Sequence, residues 1–448
     1  MAKAANTYLV QQMKEQLMSK AKEVLENNFQ AGGFTIPSKG LYPFQWKWDS
    51  GFIALGYVHY DLEKAKQEIT TLLDAQWENG FIPHIIFHND SDTYFPGPNF
   101  HESHLHPQAS KKVRSTGMTQ PPVTGFILER MLEIVGDELL PFIKEHIDKV
   151  FENHKYFFEN RDVNNEGLVY IYHNWESGTD NSPMWDDIWA TMDSPEYEFE
   201  RRDTTHVDPA QRPSKREYDH YLYIINIAKE HHYQDAQIAQ HSPFLVLDPL
   251  FNAMLIKSND ALINLYKRIG NSEDKIAFLE AKQLMGKENF NKKLFNAELG
   301  AYVHYDLRKD EQIPFVCSSS FSPLFAGIPD AARAKILVGT MVDKFGGDGR
   351  YLCASFDPSH ERFNPKKYWR GPVWINMNWM IHHGLKVYGF EELSEKVKND
   401  SLELIEQYGF YEYFDARKAH PEVTHNGYGG NNFSWSAALY IDFMTNTD

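Results

Sequence analysis

Asp49-Ser50-Gly51-Phe52-Ile53-Ala54-Leu55-Gly56-Tyr57-Val58-His59-Tyr60 runs directly into Asp61-Leu62-Glu63-Lys64-Ala65-Lys66-Gln67-Glu68-Ile69-Thr70-Thr71-Leu72-Leu73-Asp74-Ala75-Gln76. The stretch from Phe52 to Tyr60 is small or apolar at almost every position, as in a helix buried on all sides. Asp61 to Gln76 alternates charge with an apolar stripe, as in a helix packed on one face. The same pairing returns at 121–134 then 138–158, and at 371–388 then 390–408. Helices covered all round and helices covered on one side make two concentric layers. Further helices are expected at 217–230, 248–268, 272–289, 330–343 and 432–445, with few and short strands. About twelve such helices close into a double helical toroid, an all-α (α/α)6 barrel. One domain is expected over 1–448, with loop insertions at about 78–120 and 160–216.

Composition bounds the function. Hydrophobic content of 42% and charged content of 24% support a sizeable core. Aromatic content of 14% exceeds what a core requires and fits a site that stacks on rings. A net charge of -17 argues against nucleic acid and anionic membrane as partners, since both reward a basic face. An anionic ligand must then be caught by a local cation. Cys317 and Cys353 have no metal-ligand spacing and read as free thiols of a reducing compartment. Tyr8, Leu9, Met13, Leu17, Ala21 and Leu25 fall at helical spacing, so the amino-terminal stretch reads as an amphipathic helix and not a leader. No run approaches the roughly 18 apolar residues of a membrane span. A cytoplasmic protein is expected, and a homo-oligomer is compatible with it.

The loops before the apolar helices carry the chemistry. The run Tyr172-His173-Asn174-Trp175-Glu176-Ser177-Gly178-Thr179-Asp180-Asn181-Ser182-Pro183-Met184-Trp185-Asp186 sets carboxylates among tryptophans. Asp180, Asn181 and Ser182 are N-cap types before Pro183, which suits a first helical position. A capped turn with an aromatic anchor would explain that much. Trp175, Glu176 and Trp185 favour a carbohydrate loop, where acids sit beside flat apolar faces. Glu176 is either an inward sugar contact or a support for the loop, while Asp186 and Asp187 read as structural.

Tyr42, Trp46, Trp48 and Asp49 crowd a second loop, which reads as ligand-facing, although a hydrophobic staple is the plainer alternative. Residues 78–120, including Tyr94, are too aromatic for disorder and end at Gln120 before Pro121-Pro122. His101, His104 and His106 have no fixed spacing, so no metal site is expected. Asp162, Asn164, Glu166 and Gly167 imitate a calcium loop, but its twelfth position is His173, and a tight turn is expected instead. In Lys367-Tyr368-Trp369-Arg370-Gly371-Pro372-Val373-Trp374, Pro372 suits a first helical position and Gly371 permits close approach. Trp369 and Trp374 are candidate sugar walls, and Arg370 either binds ligand or pairs with an acid. Glu412 lies among aromatics ahead of the glycine-rich run Asn426 to Ser436, which has no P-loop lysine and is not expected to cradle phosphate.

Asp180 and Glu412 come from opposite halves of the chain, so a substrate between them can be sandwiched. An acid set among Trp175 and Trp185 would be raised in pKa by desolvation, as a general acid requires. Glu412, if better solvated, would stay ionised and activate water. No metal or organic cofactor is needed for that chemistry.

WESGTDNSPMWD (Trp175 to Asp186), PFQWKWDSGF (Pro43 to Phe52), YWRGPVWINMNW (Tyr368 to Trp379), and EYFD followed by GGNNFSWSAAL resemble glycoside hydrolase family 63, a relative of the family 37 trehalases. In compact size the chain resembles that family's bacterial hydrolases of glycosyl glycerates, without the large amino-terminal β-domain of its eukaryotic processing glucosidases. The resemblance implies the (α/α)6 barrel, an inverting mechanism, Asp180 as general acid and Glu412 as general base. It implies Trp48, Asp49, Trp175 and Trp374 around the sugar, with Gly178 and Gly371 among the binding residues. It implies Tyr42, Trp46, Tyr94, Gln120, Arg212, Tyr218, Tyr368 and Trp369 around the glycerate. A guanidinium binds a carboxylate bidentately, which suits Arg212, although Arg216 could take that part. The implied activity is hydrolysis of a small anionic substrate, 2-O-(α-mannosyl or α-glucosyl)-D-glycerate. The alternatives are a trehalase-like enzyme on a neutral disaccharide, a sugar epimerase on the same toroid, and a carbohydrate-binding protein.

Overall fold

The computed structural model describes residues 2–270, 272–418, 420, 422–423 and 427–445, without the side chains of 2–10. Six helices, Lys47–Tyr57, Thr124–Val135, Pro249–Ile269, Ser322–Phe325, Ile375–Val387 and Ser434–Thr445, pack each on the next, and the last returns to the first. Ala2–Asn28, Leu62–Asp74, Leu140–Asn160, Glu273–Lys293, Ala331–Phe345 and Glu391–Tyr408 lie outside this ring, each against a neighbouring inner helix or turn. This is the (α/α)6 barrel that the alternation predicts. Every residue of Lys47–Tyr57 is buried. Leu62–Asp74 buries only Ala65, Glu68, Ile69, Leu72 and Leu73, a stripe at helical spacing.

Several boundaries depart from the sequence expectation. The first outer helix packs through Leu17, Ala21, Val24 and Leu25, whereas Met13 is exposed and the side chains of Tyr8 and Leu9 lie outside the described residues. The helix expected at 371 begins at Ile375, because Val373 is taken up in backbone bridges to Ala354 and Phe414. Pro372 is therefore not at a first helical position. The helix expected at 121 begins at Thr124. Pro183 opens one 3-10 turn, Pro183–Trp185, and a single helical turn, Asp186–Trp189. The inner helix that follows is Pro249–Ile269, after a polar stretch holding Pro195, Pro209 and Pro213 and the helix Lys215–Glu230. Ser322–Phe325 and Asp235–His241 were not expected as helices. Serine and Pro323 give the first the composition of a loop, yet its hydroxyls are used locally: Ser322 Oγ donates to the Ser319 carbonyl at 2.7 Å.

Short antiparallel strands sit above the ring. Ile85–Phe87 lies between Gln45–Trp46 and Arg114–Ser115, and Tyr411–Phe414 pairs with Gly427–Asn431. At 162–167 the Asp162 carboxylate accepts the N–H groups of Glu166 and Gly167, each at 2.8 Å, which closes the expected tight turn.

One buried ionic cluster fixes the loop carrying Asp180. Arg161 donates to Glu176 Oε1 and to Asp235 Oδ1, each at 2.8 Å. Glu176 also accepts the Thr119 N–H at 3.0 Å and the Tyr172 N–H at 2.9 Å. With no exposure at all, Glu176 supports the loop. Removing one partner strands the others as unpaired buried charge. Arg161→Met is therefore expected to cost about 3–5 kcal/mol in denaturant unfolding, and a loss below about 1 kcal/mol would refute this role for the cluster.

Candidate active site

The loops at one end of the ring enclose a cleft. Its lining contains Tyr42, Trp46, Trp48, Asp49, Tyr94, Gln120, Trp175, Gly178, Asp180, Arg212, Tyr218, Tyr368, Trp369, Trp374 and Glu412. Gly371 is not among them, since a Cβ there would meet the Asn364 carbonyl at 2.5 Å, in the scaffold behind. Arg216 is also elsewhere, donating to the Ser194 carbonyl at 3.0 Å. Arg370 forms a bidentate pair with Asp186 at 2.8 and 2.7 Å. That pair ties the Asp180 loop to the Tyr368–Arg370 turn, and the Trp369 N–H adds a bond to Asn181 Oδ1 at 2.9 Å.

Asp180 is reached through Gly178, whose φ of 75° lies in the left-handed region and whose Cβ would stand 2.6 Å from the Trp48 ring. Asn174 holds the Asp180 carbonyl at 2.7 Å. The carboxyl itself accepts one long bond, from the Tyr368 hydroxyl at 3.4 Å. Burial raises its pKa to about 7, against the opposing pull of Arg212 and with help from Glu412. Trp185 does not supply that burial as expected. It points away, donating Nε1 to the Thr179 carbonyl at 3.2 Å and packing on Phe244 and His304.

Glu412 stands on Tyr411–Phe414 at an irregularity in the register between Tyr411 and Tyr413, where a bulge aims its side chain inward. Gly429 opposite has φ of 71°, and a Cβ there would lie 2.2 Å from Glu412 Oε2. The Gly430 N–H donates to Oε2 at 2.9 Å, the Tyr42 hydroxyl donates to Oε1 at 2.8 Å, and Arg212 Nη1 lies 3.9 Å from Oε1. The expectation of better solvation is wrong, because Glu412 is 2% exposed. Burial raises its pKa, and these three donors pull it back. Fixed donors stand here in place of water and oppose that rise.

Arg212 is the one cation of the described lining, held at Nε by Asp203 at 3.2 Å, at Nη1 by the Tyr42 hydroxyl at 3.0 Å, and over the Tyr368 ring at 4.2 Å. Trp369 and Trp374 stack at 3.7 Å and 4°, and Trp48 meets Trp369 at 6.2 Å. Burial holds Asp49 well above the carboxylate range, with Glu412 adding to it. Sequence reasoning passed over Pro37, His84, Asp203, Phe433 and Trp435, which also line the cleft. Asp203 falls within the insertion at 160–216, and its partner Arg212 was the available signal. His84 is held neutral by burial, with Nδ1 2.7 Å from Thr116 Oγ1, and nothing local marks a lone histidine as inward.

A family model described as the mannosylglycerate hydrolase MGH1-like glycoside hydrolase domain matches residues 42–436. The chain belongs to this family. It is 40% identical over 428 residues to the mannosylglycerate hydrolase of Thermus thermophilus, covering 94% of this chain and 99% of that one. It is 32% identical to the glucosylglycerate hydrolase of Mycolicibacterium hassiacum, covering 96% of this chain and 98% of that one. The crystal structure of a family 63 mannosylglycerate hydrolase from Thermus thermophilus with Tris and D-glycerate superposes with a TM-score of 0.88 at 39% identity, covering 96% of this chain and 100% of that one. The neutral trehalase of Saccharomyces cerevisiae, at 14% identity and a TM-score of 0.57 over 92% of this chain and 74% of that one, shares the fold alone. The chain is a glycoside hydrolase of the inverting kind. Among the described residues no helix is long and apolar enough to cross a membrane.

A carboxyl raised from 3.8 to about 7 by burial binds its proton more tightly in the folded state, so its contribution to stability falls as the pH rises through that window. Asp180→Asn, which cannot ionise, is expected to unfold at a higher temperature than wild type at pH 8, with a smaller difference at pH 5. An equal difference at both pH values would contradict the raised pKa.

Proposed function

We propose that the chain hydrolyses a 2-O-(α-mannosyl or α-glucosyl)-D-glycerate to the β-sugar and D-glycerate. The observation that carries this reading is one cleft holding a half-buried, weakly bonded carboxyl, a buried carboxylate that accepts a phenol and a backbone N–H, and a guanidinium 3.9 Å from that carboxylate. Asp180 gives its proton to the glyceryl oxygen as the bond breaks. Glu412 takes a proton from the water that attacks the anomeric carbon on the opposite face. Arg212 receives the glycerate carboxylate, a fork-on-fork pairing worth most where water is excluded.

Trp48, Trp175 and Trp374 offer flat apolar faces to the sugar, Asp49 a hydrogen-bonding group to a hydroxyl, and Gly178 room for the ring. Tyr42, Trp46, Tyr94, Gln120, Tyr218, Tyr368 and Trp369 surround the glycerate. The relatives named for mannosylglycerate and for glucosylglycerate support both sugars as candidates. A neutral disaccharide is the weaker reading, because it leaves Arg212 with no anion to receive. The buried free thiols of Cys317 and Cys353 support a reducing compartment, the cytoplasm.

Proton NMR of the first-released sugar is expected to show the β-anomer before mutarotation, and initial α-anomer would contradict inversion. Asp180→Asn is expected to lower kcat on glucosylglycerate by about 10²–10⁴-fold. Arg212→Ala should raise KM for the anionic substrate far more than for the corresponding uncharged glycosyl glycerol, and an equal change for both would remove the anion-receptor role.

A further inference from the structure

One turnover of this mechanism leaves Glu412 protonated and Asp180 ionised, the reverse of the state that can act again. The overall hydrolysis takes up no proton, so before the next cycle Glu412 must lose one proton and Asp180 must gain one. The two groups are linked through two hydroxyls, by one short step and two long ones. Tyr42 OH is 2.8 Å from Glu412 Oε1, the Tyr42 and Tyr368 hydroxyls are 3.4 Å apart, and Tyr368 OH is 3.4 Å from Asp180 Oδ2. Both phenols are buried, at 7% and 6% exposure.

Resting on the acid and base roles assigned above, we propose that Tyr42 and Tyr368 form a proton relay that resets the enzyme by returning the proton from Glu412 to Asp180 inside the protein. The Glu412 carboxylic acid donates to the Tyr42 oxygen as the Tyr42 proton passes to the Tyr368 oxygen, and the Tyr368 proton passes to Asp180. Three O–H bonds break and three form, and both phenols end neutral. Reorientation of the two hydroxyls then restores the starting pattern.

Arg212 belongs to the same device. Its Nη1 donates to the Tyr42 oxygen at 3.0 Å and its guanidinium lies 4.2 Å above the Tyr368 ring. A fixed cation there stabilises the partial negative charge each phenol bears while its proton is in transit, and arginine does not itself release a proton. Burial keeps both tyrosines well above their ordinary pKa, so each holds one proton to pass on. A binding role alone would explain a hydroxyl on Tyr42 or on Tyr368. It does not require that the two meet each other and end on the two carboxyl groups.

Rapid-quench kinetics on glucosylglycerate separate the first turnover from the steady state in wild type, Tyr42→Phe and Tyr368→Phe. Whatever each variant loses in its first turnover, its steady-state kcat is expected to fall about tenfold further, with a burst near one sugar per enzyme. Added imidazole, a small diffusible proton carrier, should restore kcat in the variants and leave wild type unaffected. First-turnover and steady-state rates falling by the same factor in both variants would overturn the relay and leave the tyrosines as binding groups. Unchanged kcat in both would overturn it as well. Asp180→Asn keeps the two levels apart. If it retains a wild-type first turnover, the acid assignment fails and the relay with it, whereas its loss alongside burst-free tyrosine variants overturns the relay alone.

Discussion

Four carboxyl groups, Asp49, Asp180, Asp203 and Glu412, share a cleft whose one described lining cation is Arg212. Coulomb repulsion among them disfavours the state in which all four are ionised. The bonding pattern decides which give way. Asp203 is held by Arg201 and Arg212, which keep it below the usual carboxylate range. Glu412 has a backbone N–H, a phenol and the guanidinium nearby, while Asp180 has one phenol at 3.4 Å. That inequality favours the proton on Asp180 over Glu412, in keeping with the acid and base roles proposed above. The scaffold's task is to hold the inequality in place.

It does so with parts drawn from the whole chain. Arg161, Glu176 and Asp235 fix the loop of Asp180 from below, and the Arg370–Asp186 pair fixes it from the side. Arg212 arrives on a strap that Arg201 pins by lying 4.4 Å over Tyr218, and Phe199 of that strap stacks on Phe95 at 5.3 Å. Each of these contacts buries a charge with its partner or covers an aromatic face.

The ring was legible because burial all round and burial on one side leave different residue patterns, as Lys47–Tyr57 and Leu62–Asp74 show. Loops before apolar helices could be placed at one end by the same logic, and of the sixteen site residues that the loop motifs and the family resemblance implied, fifteen line the cleft, Gly371 being the exception. What stayed hidden depends on long-range contacts. Val373 is drawn out of a helix by bridges to Ala354 and Phe414, and the Ser322–Phe325 helix carries loop composition inside the core. Trp185 reads like Trp175 in sequence but turns toward Phe244. The donors around Glu412 come from residues 42, 212 and 430, which no local window contains.

The account stands on Glu412 acting as the base that delivers water to the face opposite Asp180. Azide needs no base, so Glu412→Ala with azide and an α-glucosyl substrate tests that claim most directly. The predicted product is β-glucosyl azide, formed at a rate that rises with azide while hydrolysis stays suppressed. Formation of α-glucosyl azide, or hydrolysis by the variant at the wild-type rate, would contradict it.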